Sequence, residues 1–332
     1  MKFPRCLKSR LLSCALLLAT ILQARADATL VFNEIHYHPA TNEPAMEWVE
    51  LYNQLAVDLD VSGWSLTGDI GYTFPAGTRA RGRGVIVVAI DPAVLMAATG
   101  ATNVLGPFTN RLANGGGTLR LRNNNGRVMD EVNYGVEGEW PVAPDGAGPS
   151  LAKIDEDMGS AHPASWRASV QLGGSPGVKN PAGTPTLPVA FNEMSSVTNA
   201  QFWVELVNLS TQSVVLDNCV LSRFGNVTNR EYILPPQTLP AGGYLVLDRA
   251  TVGFGADPGD RVILFGPGKT NILDAIVAKS FPRARLPEGK GEWLRPSAPT
   301  PASDLYLTIL QQLGCPVKSF KESSGPISEL LG

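Results

Sequence analysis

The sequence is short of what most function classes require. Charged residues fill only 17 % of its 332 positions and hydrophobic residues 44 %, which excludes a disordered chain. Basic residues do not dominate: 27 Lys+Arg stand against 30 Asp+Glu. A nucleic-acid binder must neutralise phosphates, and no such basic footprint exists here. Of four cysteines only Cys219 and Cys315 lie beyond the first 26 residues, and two are not a disulfide framework. Beyond residue 22 no apolar run is long enough for a membrane helix. Glu and Lys are sparse, while Gly (34) and Pro (26) are abundant, which excludes a helical bundle and points to an all-β protein rich in turns.

Residues 1–26 read as a secretory signal. Lys2, Arg5, Lys8 and Arg10 form a basic start, Leu11 to Leu22 an apolar run too short to span a bilayer, and Ala24-Arg25-Ala26 a small-residue cleavage site. The expected location is therefore secreted, periplasmic or at the cell surface. Five basic residues and no acidic one lie in this segment, so the remainder carries a net charge of −8. Cys6 and Cys14 leave with it. Cys219 and Cys315 remain, and whether they pair is open.

The rest of the chain repeats itself in order. Phe32-Asn33-Glu34-Ile35 returns as Phe191-Asn192-Glu193-Met194, and Trp48-Val49-Glu50-Leu51-Tyr52-Asn53 as Trp203-Val204-Glu205-Leu206-Val207-Asn208. Gly84-Val85-Ile86-Val87-Val88 is matched by Gly243-Tyr244-Leu245-Val246-Leu247. Two copies of one domain, joined near Pro181–Pro185, are the simplest account.

Each copy reads as short strands. Period-2 geometry puts Trp48, Glu50 and Tyr52 on one face and Val49 and Leu51 on the other. The apolar run Val85–Ile90 suits a central strand buried on both faces. Asn123-Asn124-Asn125-Gly126 marks a hairpin turn. Asp91, Pro92 and Gly100 are cap, first residue and terminator of one short helix.

The succession Phe32-Asn33-Glu34-Ile35, Trp48–Asn53, Asp60, Gly63-Trp64-Ser65-Leu66 and Phe74-Pro75 resembles the lamin-tail domain, particularly its bacterial secreted versions. The resemblance continues through Asp91-Pro92, Gly106-Pro107-Phe108, Gly115-Gly116, Tyr134-Gly135, Trp140-Pro141 and the closing Trp166 with Gly173-Gly174-Ser175-Pro176-Gly177. It implies an immunoglobulin-like β-sandwich that serves as an interaction module. The expected layout is domain 1 over 27–182, a more divergent domain 2 over 183–302, and a helical tail over 303–332, in which Ser303–Gly314 reads as a capped helix. The fold class is all-β, two immunoglobulin-like sandwiches in tandem.

Several residue groups could carry chemistry. Glu34, His36 and His38 alternate along one strand, and His-x-His with a carboxylate can ligate zinc. A metal-dependent hydrolase would use them, but no fourth ligand is visible, and the second copy has neither histidine. Gly173–Gly177 matches Gly-x-Ser-x-Gly, yet Pro176 blocks the following helix and every histidine (His36, His38, His162) precedes the serine, so a turn is the better reading. Gly266–Thr270 ends like a phosphate loop but lacks the first glycine. The recurring Glu34/Glu50 and Glu193/Glu205 could bind calcium or do acid–base work, but their recurrence with the fold favours solvated faces or hydrogen bonds to loop amides. Asp155-Glu156-Asp157 reads as an acidic solvated loop.

The residues thus favour a secreted, non-catalytic binding protein whose partner is a protein or polysaccharide at the cell surface. The alternatives are a structural spacer and the hydrolase above. The long connections 92–117 and 135–165 would present the ligand site, with Tyr134, Trp140 and Trp166 either lining it or packing its base.

Overall fold

The computed structural model describes residues 29–41, 43–183, 186–198, 202–225 and 228–295. The signal-like segment, Cys315 and the helix expected over 303–314 lie outside these residues. The chain forms two compact units. Among the described residues, the first is built from those within 29–141, 150–169 and 173–182, the second from those within 142–149, 170–172 and 183–295.

Strands of the first unit are β1 (Leu30–His36), β2 (Trp48–Asn53), β3 (Leu59–Asp60), β4 (Ser65–Gly68), β5 (Ile70–Thr73), β6 (Arg79–Ala80), β7 (Val85–Ala89), β8 (Thr109–Asn110), β9 (Gly117–Arg122), β10 (Val128–Tyr134), β11 (Pro149–Lys153) and β12 (Trp166–Leu172). One five-stranded sheet runs β12-β11-β1-β2-β7, a second runs β10-β9-β4-β5-β8, and β3 pairs with β6. Leu30, Phe32, Ile35, Val49 and Leu51 from the first sheet meet Leu66, Leu119, Leu121 and Val132 from the second in one core. This is an immunoglobulin-like β-sandwich, in which two sheets hide one face each.

The second unit comprises β13 (Val189–Met194), β14 (Trp203–Asn208), β15 (Val214–Val215), β16 (Val220–Phe224), β17 (Arg230–Ile233), β18 (Thr238–Leu239), β19 (Tyr244–Asp248), β20 (Arg261–Phe265), β21 (Ile272–Val277), β22 (Arg283–Leu286) and β23 (Glu292–Leu294). Its sheets run β19-β14-β13-β22-β23 and β17-β16-β20-β21, with β15 paired to β18, which repeats the strand order of the first unit except that β8 has no counterpart among the described residues. The repeated residues do repeated work. Asn53 Nδ2 donates to the carbonyls of Val57, Ala80 and Arg81, and Asn208 Nδ2 to those of Gln212, Leu239 and Pro240. Asp130 accepts from the Phe32 amide and Asp274 from the Phe191 amide, each at 2.8 Å.

The helix α1 (Pro92–Thr99) forms as expected: the Asp91 carboxylate accepts from the amides of Ala93 and Val94, and Gly100 ends it in the left-handed region. Strand β7 departs from expectation, because it lies at the end of its sheet. Its apolar character is explained by other cover. Leu105 bridges its outer edge, donating to Val87 O and accepting from Ala89 N (2.9 Å each), while Leu95 of α1 packs with Trp48, Val87 and Ala89. The long connections are also more structured than expected. Residues 92–117 hold α1 and this Leu105 strap. Residues 135–165 hold β11, and 143–150 are buried throughout.

Candidate functional site: a sealed carboxylate pair

The register of β1 is broken between Phe32 and Glu34, so Asn33 forms a bulge. Leu30 and Phe32 point into the core before the bulge, Ile35 and Tyr37 after it. Glu34 is thereby turned to the outer face of the sheet, directly opposite Glu50 of β2. Both carboxylates are fully buried, because the turn after β12 folds over them.

That turn is held by the pair. Glu34 Oε1 accepts from the Ser150 hydroxyl and from the Ser175 amide (3.0 Å), while its Oε2 accepts from the Ser175 hydroxyl (2.8 Å). Glu50 Oε1 accepts from Asn33 Nδ2 and its Oε2 from the Gly177 amide, each at 2.7 Å. Asn180 Nδ2 closes the network on the carbonyls of Asn33 and Lys153. Gly174 admits no side chain: a Cβ there would stand 2.6 Å from Glu34 Oε1 and 2.7 Å from Trp48 Cζ2. Burial drives both carboxyls above their ordinary range, and for Glu50 the neighbouring Glu34 adds to it. The Gly-x-Ser-x-Gly pattern is thus a turn, and Ser175 is a donor to a carboxylate.

The remaining candidates fall at separate places. His36 Nδ1 lies 3.1 Å from Met46 O, and its ring packs 6.0 Å from that of Trp48. His38 sits 3.7 Å from Glu43. Strand β1 ends at His36, so His38 lies beyond it, and Glu34 spends its oxygens on the turn. Among the described residues no group of three or more His, Cys, Asp or Glu is placed to hold a metal ion. In the acidic loop Asp157 faces Arg83 (3.3 Å) and Glu156 faces Lys179 (3.1 Å). Gly266–Thr270 forms the short turn between β20 and β21.

Tyr134 is buried, with its hydroxyl donating to Asp69 (2.9 Å) and its ring 4.9 Å from Tyr37. Trp166 is buried and donates to Ser160 O (2.9 Å). Trp140 is half-buried, 6.5 Å from Trp166. Sequence reasoning missed Lys153, a buried ammonium over the Trp166 ring at 5.2 Å, whose pKa burial lowers to about 8. It also missed Glu47, which accepts from the Leu112 amide (2.8 Å) and is pushed up to about 7 by burial. Glu47 directly precedes Trp48–Asn53 in the lamin-tail-like run, but nothing in that run marks it as buried, and Lys153 stands in no motif.

In the second unit the same pair recurs as Glu193 opposite Glu205. Asn192 Nδ2 donates to Glu205 at 2.8 Å, as Asn33 does to Glu50. Here the carboxylates are only half-buried, and Glu193 is pushed up to about 7 by burial and by the nearby Glu205 and Glu288.

Residues 23–136 match the family model of the Lamin Tail Domain. The matched stretch ends just after β10. Ser150, Ser175 and Gly177, which seal the carboxylate pair, lie beyond it. No curated protein matches the chain. Among solved structures, a complex of the exo-β-D-glucosaminidase CsxA with castanospermine- and australine-type inhibitors matches at 13 % identity with a TM-score of 0.19, over 76 % of this chain and 27 % of that one. The chain therefore spans about a quarter of that enzyme's length, and a likeness this slight bears on neither fold nor function.

Proposed function

We propose that the chain is a secreted or cell-surface interaction module, non-catalytic, built on two lamin-tail-like sandwiches, with a protein or polysaccharide as its ligand. One observation carries the reading. The buried cluster of polar and ionisable groups around Glu34 and Glu50 is closed to solvent and engaged in fastening a turn. A catalytic carboxylate pair needs substrate access, and this one has none. The lamin-tail match over residues 23–136 supports the same reading, as does the signal-like first segment. The stretches 96–100, 102–103, 109–111 and 137–139, within the two long connections, are exposed and are where a ligand would reach the first unit's long loops.

The test uses the chain from Asp27 onward against glycan arrays and cell-surface protein fractions, beside a hydrolase panel run with and without zinc. Saturable binding without turnover is expected. Turnover that is lost in His36→Ala/His38→Ala, together with lost zinc in equilibrium dialysis, supports the hydrolase instead. A chain that binds nothing is a spacer.

A further inference from the structure

The two units differ at one sheet edge. Asn53 N donates to Gly84 O, and Asn208 N donates to Gly243 O, so β2/β7 and β14/β19 share one register. In that register Leu245 and Leu247 turn their peptide groups toward β14. Val246, opposite Glu205, turns its N–H and C=O to the outside. Its counterpart Val87, opposite Glu50, has its carbonyl satisfied by the Leu105 strap. In the second unit only residues 253–260 separate the short helix after β19 from β20, whereas 100–116 separate α1 from β9. No strand or bridge pairs with the outer edge of β19 among the described residues.

The side chains along this edge are also uncovered. Val246 is 53 % and Tyr244 47 % exposed, while Val87 is buried. Glu193, Glu205 and Val246 form a row across the face, with Asp248 at the same edge and Glu288 accepting from the Tyr244 hydroxyl. Exposed apolar edges invite added strands, and native proteins usually blunt them with lysine or proline. Neither stands in β19.

We propose that the β19 edge docks an extended segment of a partner protein by strand addition, the segment alternating basic and apolar side chains. Its basic residues share the face of Glu205, Val246 and Asp248, where their methylene stems cover Val246. Its apolar residues continue the inner row of Leu245 and Leu247. Backbone hydrogen bonds to Val246 supply affinity and the alternation supplies specificity. The proposal rests on the interaction-module reading but concerns a surface apart from the loops of the first unit.

The probe is a short synthetic peptide of alternating lysine and valine, blocked at both ends, titrated into the chain from Asp27 onward at low salt. Saturable binding, weakening as salt rises, and slowed hydrogen exchange of the Val246 amide are expected. Val246→Pro removes an outward N–H without touching the β14 ladder, and should weaken binding about tenfold or more. The same peptide with N-methylated amides should fail against the unaltered protein, which keeps the test independent of whether the variant folds. Equal binding by the N-methylated peptide overturns strand addition. A Val246 amide already protected without peptide overturns it too: protection that fades on dilution assigns the edge to a second copy, and protection lost on truncation after Arg295 assigns it to the chain's own C-terminal segment. No peptide binding while the glycan and protein arrays are positive sinks this proposal alone. Negative arrays with peptide binding sink the loop-ligand reading alone.

Discussion

Glu34 and Glu50 stand opposite one another on adjacent strands, fully buried, and fasten Ser175 and Gly177 of the closing turn. Truncating Glu34 to Ala leaves the buried Ser175 amide and the Ser150 hydroxyl without the carboxylate they donate to, while the Ser175 hydroxyl keeps only Asn180 Oδ1 at 3.3 Å. Each unsatisfied buried donor costs about 1–3 kcal/mol, and hydroxyls relax more easily than amides, so a loss of about 2–4 kcal/mol is expected. Urea unfolding followed by tryptophan fluorescence measures it. A loss below about 0.5 kcal/mol would show that the turn stays in place without the carboxylate.

The buried glutamates should make stability fall as pH rises from about 5 to 8. Burial holds Glu34, Glu50 and Glu47 above the ordinary 4.5, with Glu47 at about 7. The folded chain therefore binds these protons more tightly than the unfolded chain. Their stabilisation is complete below the unfolded value and is lost as pH climbs through the folded ones, near 7 for Glu47. Glu47→Gln keeps an acceptor for the Leu112 amide and removes the titration. It should flatten the decline in urea stability between about pH 5 and 8. An unchanged slope in that variant would place the proton linkage elsewhere.

Two glycines with one dihedral separate strain from crowding. Gly174 and Gly126 both have φ +78°. A Cβ at Gly126 meets nothing within 4 Å, whereas at Gly174 it strikes Glu34, Trp48 and Ser150. Gly126→Ala should cost only the left-handed penalty, about 1–2 kcal/mol. Gly174→Ala should cost more, because it also breaks the turn's seat on Glu34. Thermal unfolding of the two variants side by side decides it, and equal losses would remove the steric claim.

Much of this fold was legible because hydrophobic alternation is local. Trp48, Glu50 and Tyr52 do share a face, and Asp91, Pro92 and Gly100 do bound a helix. The bulge at Asn33 was not legible, since a one-residue insertion leaves no compositional mark and yet reverses which residues of β1 are inside. The sealed carboxylates were half legible. Their recurrence pointed to bonds with loop amides, but their burial depends on a turn some 140 positions away, beyond any local pattern. Val85–Ala89 misled for the same reason: an edge strand strapped by Leu105 and covered by α1 is as apolar as a central one.

Cys219 offers a readout for the second unit alone. It lies in that unit's core, and burial, reinforced by Asp217, pushes its thiol up to about 11. Only the thiolate attacks disulfide reagents, so at pH 8 about one molecule in a thousand would be reactive even if the sulfur were reachable. With Cys315 changed to Ser in a chain starting at Asp27, labelling should therefore follow the opening of the second sandwich. Its rate should rise with urea in step with that unit's unfolding and stay unaffected by Gly174→Ala, which disturbs the first unit. Rapid labelling in native buffer would mean that the core around β16 opens far more readily than its packing allows.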